Sequence, residues 1–146
     1  MKAIKQIFRF GSFMMAIIIL MMSLFTLDLS AQTDSVEWHP FEKAIQIAEK
    51  NQQFLLVDVW APWCGWCKKM QKEVYPNLPI NLSNQFIWTR LNRDDHESNI
   101  QFNSQTFTPF RVAQKLNVQS VPALVVLSPQ GEYLFHISGF IETQKL

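Results

Sequence analysis

The two cysteines of this 146-residue chain stand together as Cys64-Gly65-Trp66-Cys67. If a helix begins at this point, the pair can close a short loop. The first thiol then sits among backbone N–H groups that lack helical partners, at the positive end of the macrodipole, where thiolate is favoured over thiol. Such a Cys64 is a nucleophile, expected at the helix tip and facing solvent. Cys67, one turn later and facing inward, is placed to attack the mixed disulfide made by Cys64 and release its partner. Other uses of the pair fit less well. Zinc needs about four ligands, and His39, His96 and His136 do not stand at finger spacing. Covalent haem would need a histidine where Lys68 stands. A purely structural disulfide would close so short a loop that it would restrict the unfolded chain little.

The flanking sequence supplies elements able to hold such a pair. After a loose polar lead over residues 32–37, Pro40 opens an amphipathic helix in which Phe41, Ala44, Ile45 and Ala48 recur at helical spacing. Phe54 to Trp60 is an apolar run broken only by Asp58, the pattern of a strand covered on both faces. The helix that follows the cysteines runs to about Tyr75, with Cys67, Met70 and Val74 inward, and Pro76 and Pro79 are expected to end it. Phe86 to Leu91 reads as a strand, 110–116 as a short helix, and Ala123 to Leu127 as a buried strand. Ser128 to Gly131 then turns into a last strand over 132–137. Between 95 and 109 the pattern suggests a small hairpin or lid. The order α-β-α-β-α-β-β predicts an α/β fold with a mixed sheet and helices on both faces.

Residues 57–68, Val-Asp-Val-Trp-Ala-Pro-Trp-Cys-Gly-Trp-Cys-Lys, resemble the active-site segment of the thioredoxin family. The likeness continues through Arg90-Leu91-Asn92, Val118 to Ala123, Gly131 and Gly139, and covers roughly 38–146. The resemblance implies a thioredoxin fold with Cys64 as attacking thiol, Cys67 as resolving thiol, and Asp58 as the buried acid that accepts the Cys67 proton. It also implies a cis peptide before Pro122, with backbone beside it that pairs with an extended substrate. Trp63, Gly65, Trp66, Val121 and Pro122 would be substrate contacts, and Trp60, Trp63, Trp66 and Val121 an apolar collar suited to flexible protein partners. Arg90 stands where relatives often carry a lysine, and an arginine cannot shed its proton. The Gly65-Trp66 pair offers no imidazole to stabilise the thiolate, which favours a reductant, while Lys68 and Lys69 pull the other way.

The Lys68-Lys69-Met70 run, Glu73-Val74-Tyr75 and the extra segment 95–109 resemble exported bacterial thioredoxin-like proteins of thiol-disulfide interchange. Those are generally kept reduced by electrons crossing the inner membrane, which implies a membrane-linked donor. Only Phe140 to Leu146 follow Gly139, where the family carries a long helix, so a truncated C-terminal helix is expected, with apolar surface left uncovered.

Composition sets the remaining limits. Thirteen Lys+Arg against 12 Asp+Glu, with 48% hydrophobic residues, describe one ordinary globular domain and leave no basic stripe for nucleic acid. Lys2, Lys5 and Arg9 precede an uncharged stretch from Phe10 to Leu27, and Ser30-Ala31 follows, the layout of a secretory signal cut after Ala31 or of an uncleaved N-terminal anchor. Residues 1–31 are therefore read as leader and 32–146 as the domain, exported to the periplasm, touching a membrane only through an uncut leader. The acidic loop Asp94, Asp95, Glu97 and the three histidines read as solvated or structural. The function expected is a disulfide reductase acting on exported proteins without metal or organic cofactor. The same site run in reverse would make an oxidase or isomerase, and the collar without turnover would make a peptide-binding module.

Overall fold

The computed structural model describes residues 36–145, so the leader expected over 1–31 lies outside the described residues. The elements are β1 (Trp38–His39), α1 (Phe41–Asn51), β2 (Phe54–Trp60), α2 (Gly65–Lys69), α3 (Ile80–Ser83), β3 (Phe86–Asn92), β4 (Ile100–Phe102), β5 (Gln105–Phe107), α4 (Pro109–Lys115), β6 (Ala123–Leu127) and β7 (Tyr133–Ser138). Between α2 and α3 the chain continues as one π-helical stretch, Met70–Val74, and a 3-10 turn, Tyr75–Asn77. A further 3-10 turn spans Thr143–Lys145.

Five strands form a mixed sheet in the order β1-β3-β2-β6-β7, with β4 and β5 making a separate hairpin. β2 lies at the centre, parallel to β3 and antiparallel to β6. That central place explains its sequence: both faces are covered, so Leu55, Leu56, Val57 and Val59 are all buried. On one face, α1 contributes Phe41, Ala44 and Ala48 and α4 contributes Val112 and Ala113, packed on Leu55, Val57, Val59, Leu91 and Val125. On the other, Met70, Val74, Tyr75 and Leu78 pack on Leu56, Trp88 and Leu124. Each buried Val, Leu, Met or Phe side chain among these contributes about 1.5–3 kcal/mol.

Several local features follow from single residues. Thr108 caps α4, its hydroxyl accepting from the Arg111 N–H at 3.3 Å, with Pro109 in the first turn. In the hairpin of the 95–109 segment, Asn103 and Ser104 both have positive φ, 52° and 61°, the backbone that a two-residue turn between right-twisted strands requires. Pro79, expected to end a helix, instead opens α3: its carbonyl accepts from the Leu82 and Ser83 N–H groups at 2.9 and 3.0 Å. The sequence pattern predicts no strand over Trp38–His39, because two residues show no alternation. Only pairing with Trp88 and Thr89 makes them a strand, secured by the Thr89 hydroxyl donating to the His39 carbonyl at 2.9 Å.

Candidate functional site

The redox pair lies where β2 ends and α2 begins. Cys64 is the N-cap residue of α2, in extended backbone (φ −74°, ψ 101°), and its Sγ accepts from the Cys67 N–H at 3.1 Å. The two cysteines form a disulfide. Cys64 was expected to face solvent, and here the structure corrects the sequence: Cys64 is 4% exposed and Cys67 2%. The bond turns the first sulfur inward against the second, and Ala61, Trp60 and Val121 pack around the pair. Gly65 is exposed, and a Cβ there would meet nothing within 4 Å.

The Val121–Pro122 peptide is cis, and Val121 packs against the buried cluster of Ala61, Cys64 and Cys67. The Pro122 carbonyl accepts from the Gly139 N–H at 2.8 Å, which ties the end of β7 to this loop. On the other flank the Arg93 N–H donates to the Trp60 carbonyl at 2.9 Å, and Arg93 Nη1 donates to the Gln119 carbonyl at 2.7 Å. An open cavity of about 420 Å³, lined by Arg93, Phe110, Gln114, Asn117, Val118 and Gln119, adjoins this flank and does not reach the sulfurs.

The collar residues separate into two groups. Trp63 and Trp66 are 66% and 57% exposed. Trp60 is half-buried beneath the Arg90 guanidinium, 4.8 Å from its ring centroid. The Trp63 indole N–H donates to Asp94, so the acidic loop read as merely solvated holds one of the exposed rings. Asp95 also has local work, its carboxylate accepting from the Ser98 and Glu97 N–H groups at 2.8 and 3.0 Å. Those bonds hold its carboxyl below the ordinary range.

Asp58 lies on β2 directly beside Arg90 of β3, and Arg90 Nε donates to its Oδ2 at 2.9 Å. The guanidinium carbon also stands 5.4 Å from the Trp38 ring, so Arg90 is stacked as well as paired. Burial pushes the Asp58 carboxyl above its ordinary value, and the Arg90 charge opposes that only in part. Tyr75, buried on the same face, has its hydroxyl pushed up by burial and then by the Asp58 charge. Asp58 Oδ1 and Tyr75 Oη face each other's field without a well-formed hydrogen bond. Sequence reasoning missed Tyr75 and Asp94 because their partners lie far along the chain, with no spacing to betray them.

The family model described as a thioredoxin-like domain matches residues 41–146. Over 93 residues the chain is 30% identical to the thioredoxin of Bacillus subtilis, covering 64% of this chain and 75% of that protein. Over 106 residues it is 23% identical to the thiol:disulfide interchange protein DsbD of Pseudoalteromonas atlantica, covering 70% of this chain and 16% of that protein. Among solved structures, a putative disulphide-isomerase from Bacteroides thetaiotaomicron shares the fold with a TM-score of 0.59 and 21% identity, over 79% of this chain and 89% of that one. The fold, the Cys64–Cys67 disulfide at the β2–α2 junction and these matches together make the chain a member of the thioredoxin-like domain family.

Proposed function

We propose that the protein is an exported thiol-disulfide oxidoreductase that reduces disulfides of exported proteins by dithiol exchange. The observation that carries this reading is the Cys64–Cys67 disulfide itself, closed at the start of a helix and flanked by the Val121–Pro122 loop. In the reduced protein the Cys64 thiolate attacks one sulfur of a substrate disulfide. That S–S bond breaks, and the other substrate sulfur leaves as a thiolate and takes up a proton. Cys67 then gives its proton to Asp58 and attacks Cys64 Sγ, expelling the second substrate thiol and leaving the Cys64–Cys67 disulfide. Two electrons pass from the dithiol to the substrate, and a donor dithiol, on this reading membrane-linked, restores the pair. Asp58 suits the proton step because burial keeps its carboxyl basic for an acid of its kind. Backbone beside Pro122 supplies strand-like pairing for an extended substrate, with Trp63, Gly65, Trp66 and Val121 around it.

The basic-then-apolar layout of residues 1–31 supports export to the periplasm, by a cleaved signal or a retained anchor. Insulin reduction with dithiothreitol as donor tests the chemistry: Cys64→Ser and Cys67→Ser should each abolish turnover by the intact protein, and a rate surviving either change would reject the mechanism. The direction of electron flow is tested by the reduction potential of the couple. A value near about −270 mV supports the reductant, and one near about −120 mV would assign an oxidant instead.

A further inference from the structure

Two buried side-chain atoms have no hydrogen-bond partner among the described residues, Asp58 Oδ1 and Tyr75 Oη. Both lie on the Leu56–Leu124 face of the sheet. Tyr75 reaches that face through an irregular turn, because on an unbroken α-helix, at about 100° per residue, it would stand about 80° round from Cys67. The π-helical stretch Met70–Val74, across which the Tyr75 N–H donates to the Met70 carbonyl, widens one turn and brings the ring back to the buried side. Trp38 and Trp88 then meet it edge to face, with centroids 5.1 and 6.0 Å away. The ring is fixed, and its hydroxyl is left over.

An orphan hydroxyl in an apolar layer is costly, and a carboxylate with one oxygen already occupied is the acceptor it lacks. Arg90 of β3 takes Asp58 Oδ2 at 2.9 Å and leaves Oδ1 open. The other elements packed on Asp58 bring no competing charge. β6 places Leu124 opposite it, Met70 and Val74 line the rest of the layer, and the disulfide-bonded Cys67 of α2 does not titrate. Tyr75 and Arg90 are therefore the polar groups that face the acid in the oxidised protein, and the thiol of Cys67 joins them on reduction. The two orphans feel each other: the Asp58 charge pushes the phenol up, and the phenol hydroxyl pulls the carboxyl down against its burial. We propose that Tyr75 is a positioning residue for the proton step, its hydroxyl donating to Oδ1 of the Asp58 anion and so keeping the acid ionised and ready for the Cys67 proton. That proton passes from Cys67 Sγ to the carboxylate, while Tyr75 keeps its own. The proposal deepens the reductase reading and rests on it.

Carbon NMR of the Asp58 carboxyl and the Tyr75 ring in the oxidised protein, where no thiol titrates, reads the coupling without redox turnover. Tyr75→Phe keeps the ring and removes only the hydroxyl. It should move the Asp58 titration midpoint up by about one pH unit, the scale of one hydrogen bond to a charged group. The acid limb of the kcat profile for insulin reduction should move up by a similar amount, with KM unchanged. Leu78→Ala, which opens a cavity in the same layer, should lower the melting midpoint and leave the Asp58 titration where it was. In the intact protein the Tyr75 Cζ resonance should shift through the Asp58 midpoint, which keeps the test decisive if Tyr75→Phe does not fold. An Asp58 midpoint unmoved by Tyr75→Phe, or a Cζ signal that stays constant through that midpoint, would overturn the proposal. A coupled pair in a protein that turns over no insulin would overturn the reductase reading and leave the coupling standing.

Discussion

Along β2, Leu55, Val57 and Val59 enter a layer made mainly of apolar side chains from α1, α4 and neighbouring strands, in which the buried Thr89 hydroxyl is satisfied by the His39 carbonyl. Their sequence neighbours Leu56, Asp58 and Trp60 point to the opposite face, where an ion pair, a buried phenol and stacked tryptophans are set among Met70, Val74 and Leu124. One strand therefore serves two environments through its two-residue period. The first face needs only volume and apolarity. The second holds a carboxyl that burial disfavours as an anion, and its guanidinium partner is 22% exposed, so part of that charge remains hydrated. The difference teaches where apolar packing and charge are in conflict: the face that holds the buried Asp58 carboxyl is the one on which the fold gives up free energy.

Three substitutions would break or sharpen that contrast. The largest effect is expected on the apolar face, where Leu55→Ala should cost about 2–5 kcal/mol in denaturant unfolding while leaving the reduction potential of the disulfide unchanged. If the potential moved with stability, the two faces would not be separable.

An effect of opposite sign is expected at Asp58. Because burial raises its carboxyl, the folded state holds that proton more tightly than the unfolded state, and stability falls as pH rises through the folded value. Asp58→Asn removes that loss, so at about pH 7 the melting midpoint should rise by a few degrees, and the gain should vanish near about pH 3, where the acid is protonated in both states. Insulin turnover should meanwhile fall by roughly tenfold or more, since the acceptor for the Cys67 proton is gone. Calorimetry at the two pH values with parallel kinetics checks both halves, and a destabilised Asp58→Asn would refute the contrast.

The smallest effect is expected for Arg90→Lys, which keeps the charge beside Asp58 but gives up the planar stack on Trp38 and Trp60. The loss should stay within about 1 kcal/mol. A lysine there can also release its proton, so the alkaline limb of the pH–rate profile should change shape, whereas a merely structural substitution would lower the midpoint and leave that limb alone.

The two exposed tryptophans divide legibility in the same way. Both were readable as rim residues from their places around Cys64 and Cys67. What holds each was not: Trp63 is held by Asp94 and Trp66 by Phe140 and Lys69, and two of those three partners stand far along the chain.

By itself the sequence determined the α1 stripe, the buried run of β2, the cysteine pair at a strand-to-helix junction and the closing antiparallel strands, because each depends on local spacing and side-chain type, and it left 95–109 as either a hairpin or a lid, which the β4–β5 pairing resolves. Only the tertiary structure decided that Cys64 is buried rather than outward, that Trp38–His39 is a strand, that Pro79 begins a helix, and that Tyr75 and Asp94 take part in the site. The physical reason is one of range. Periodicity and capping act over a few residues, whereas burial, ion pairing and ring stacking are settled by whichever distant segment the sheet brings alongside.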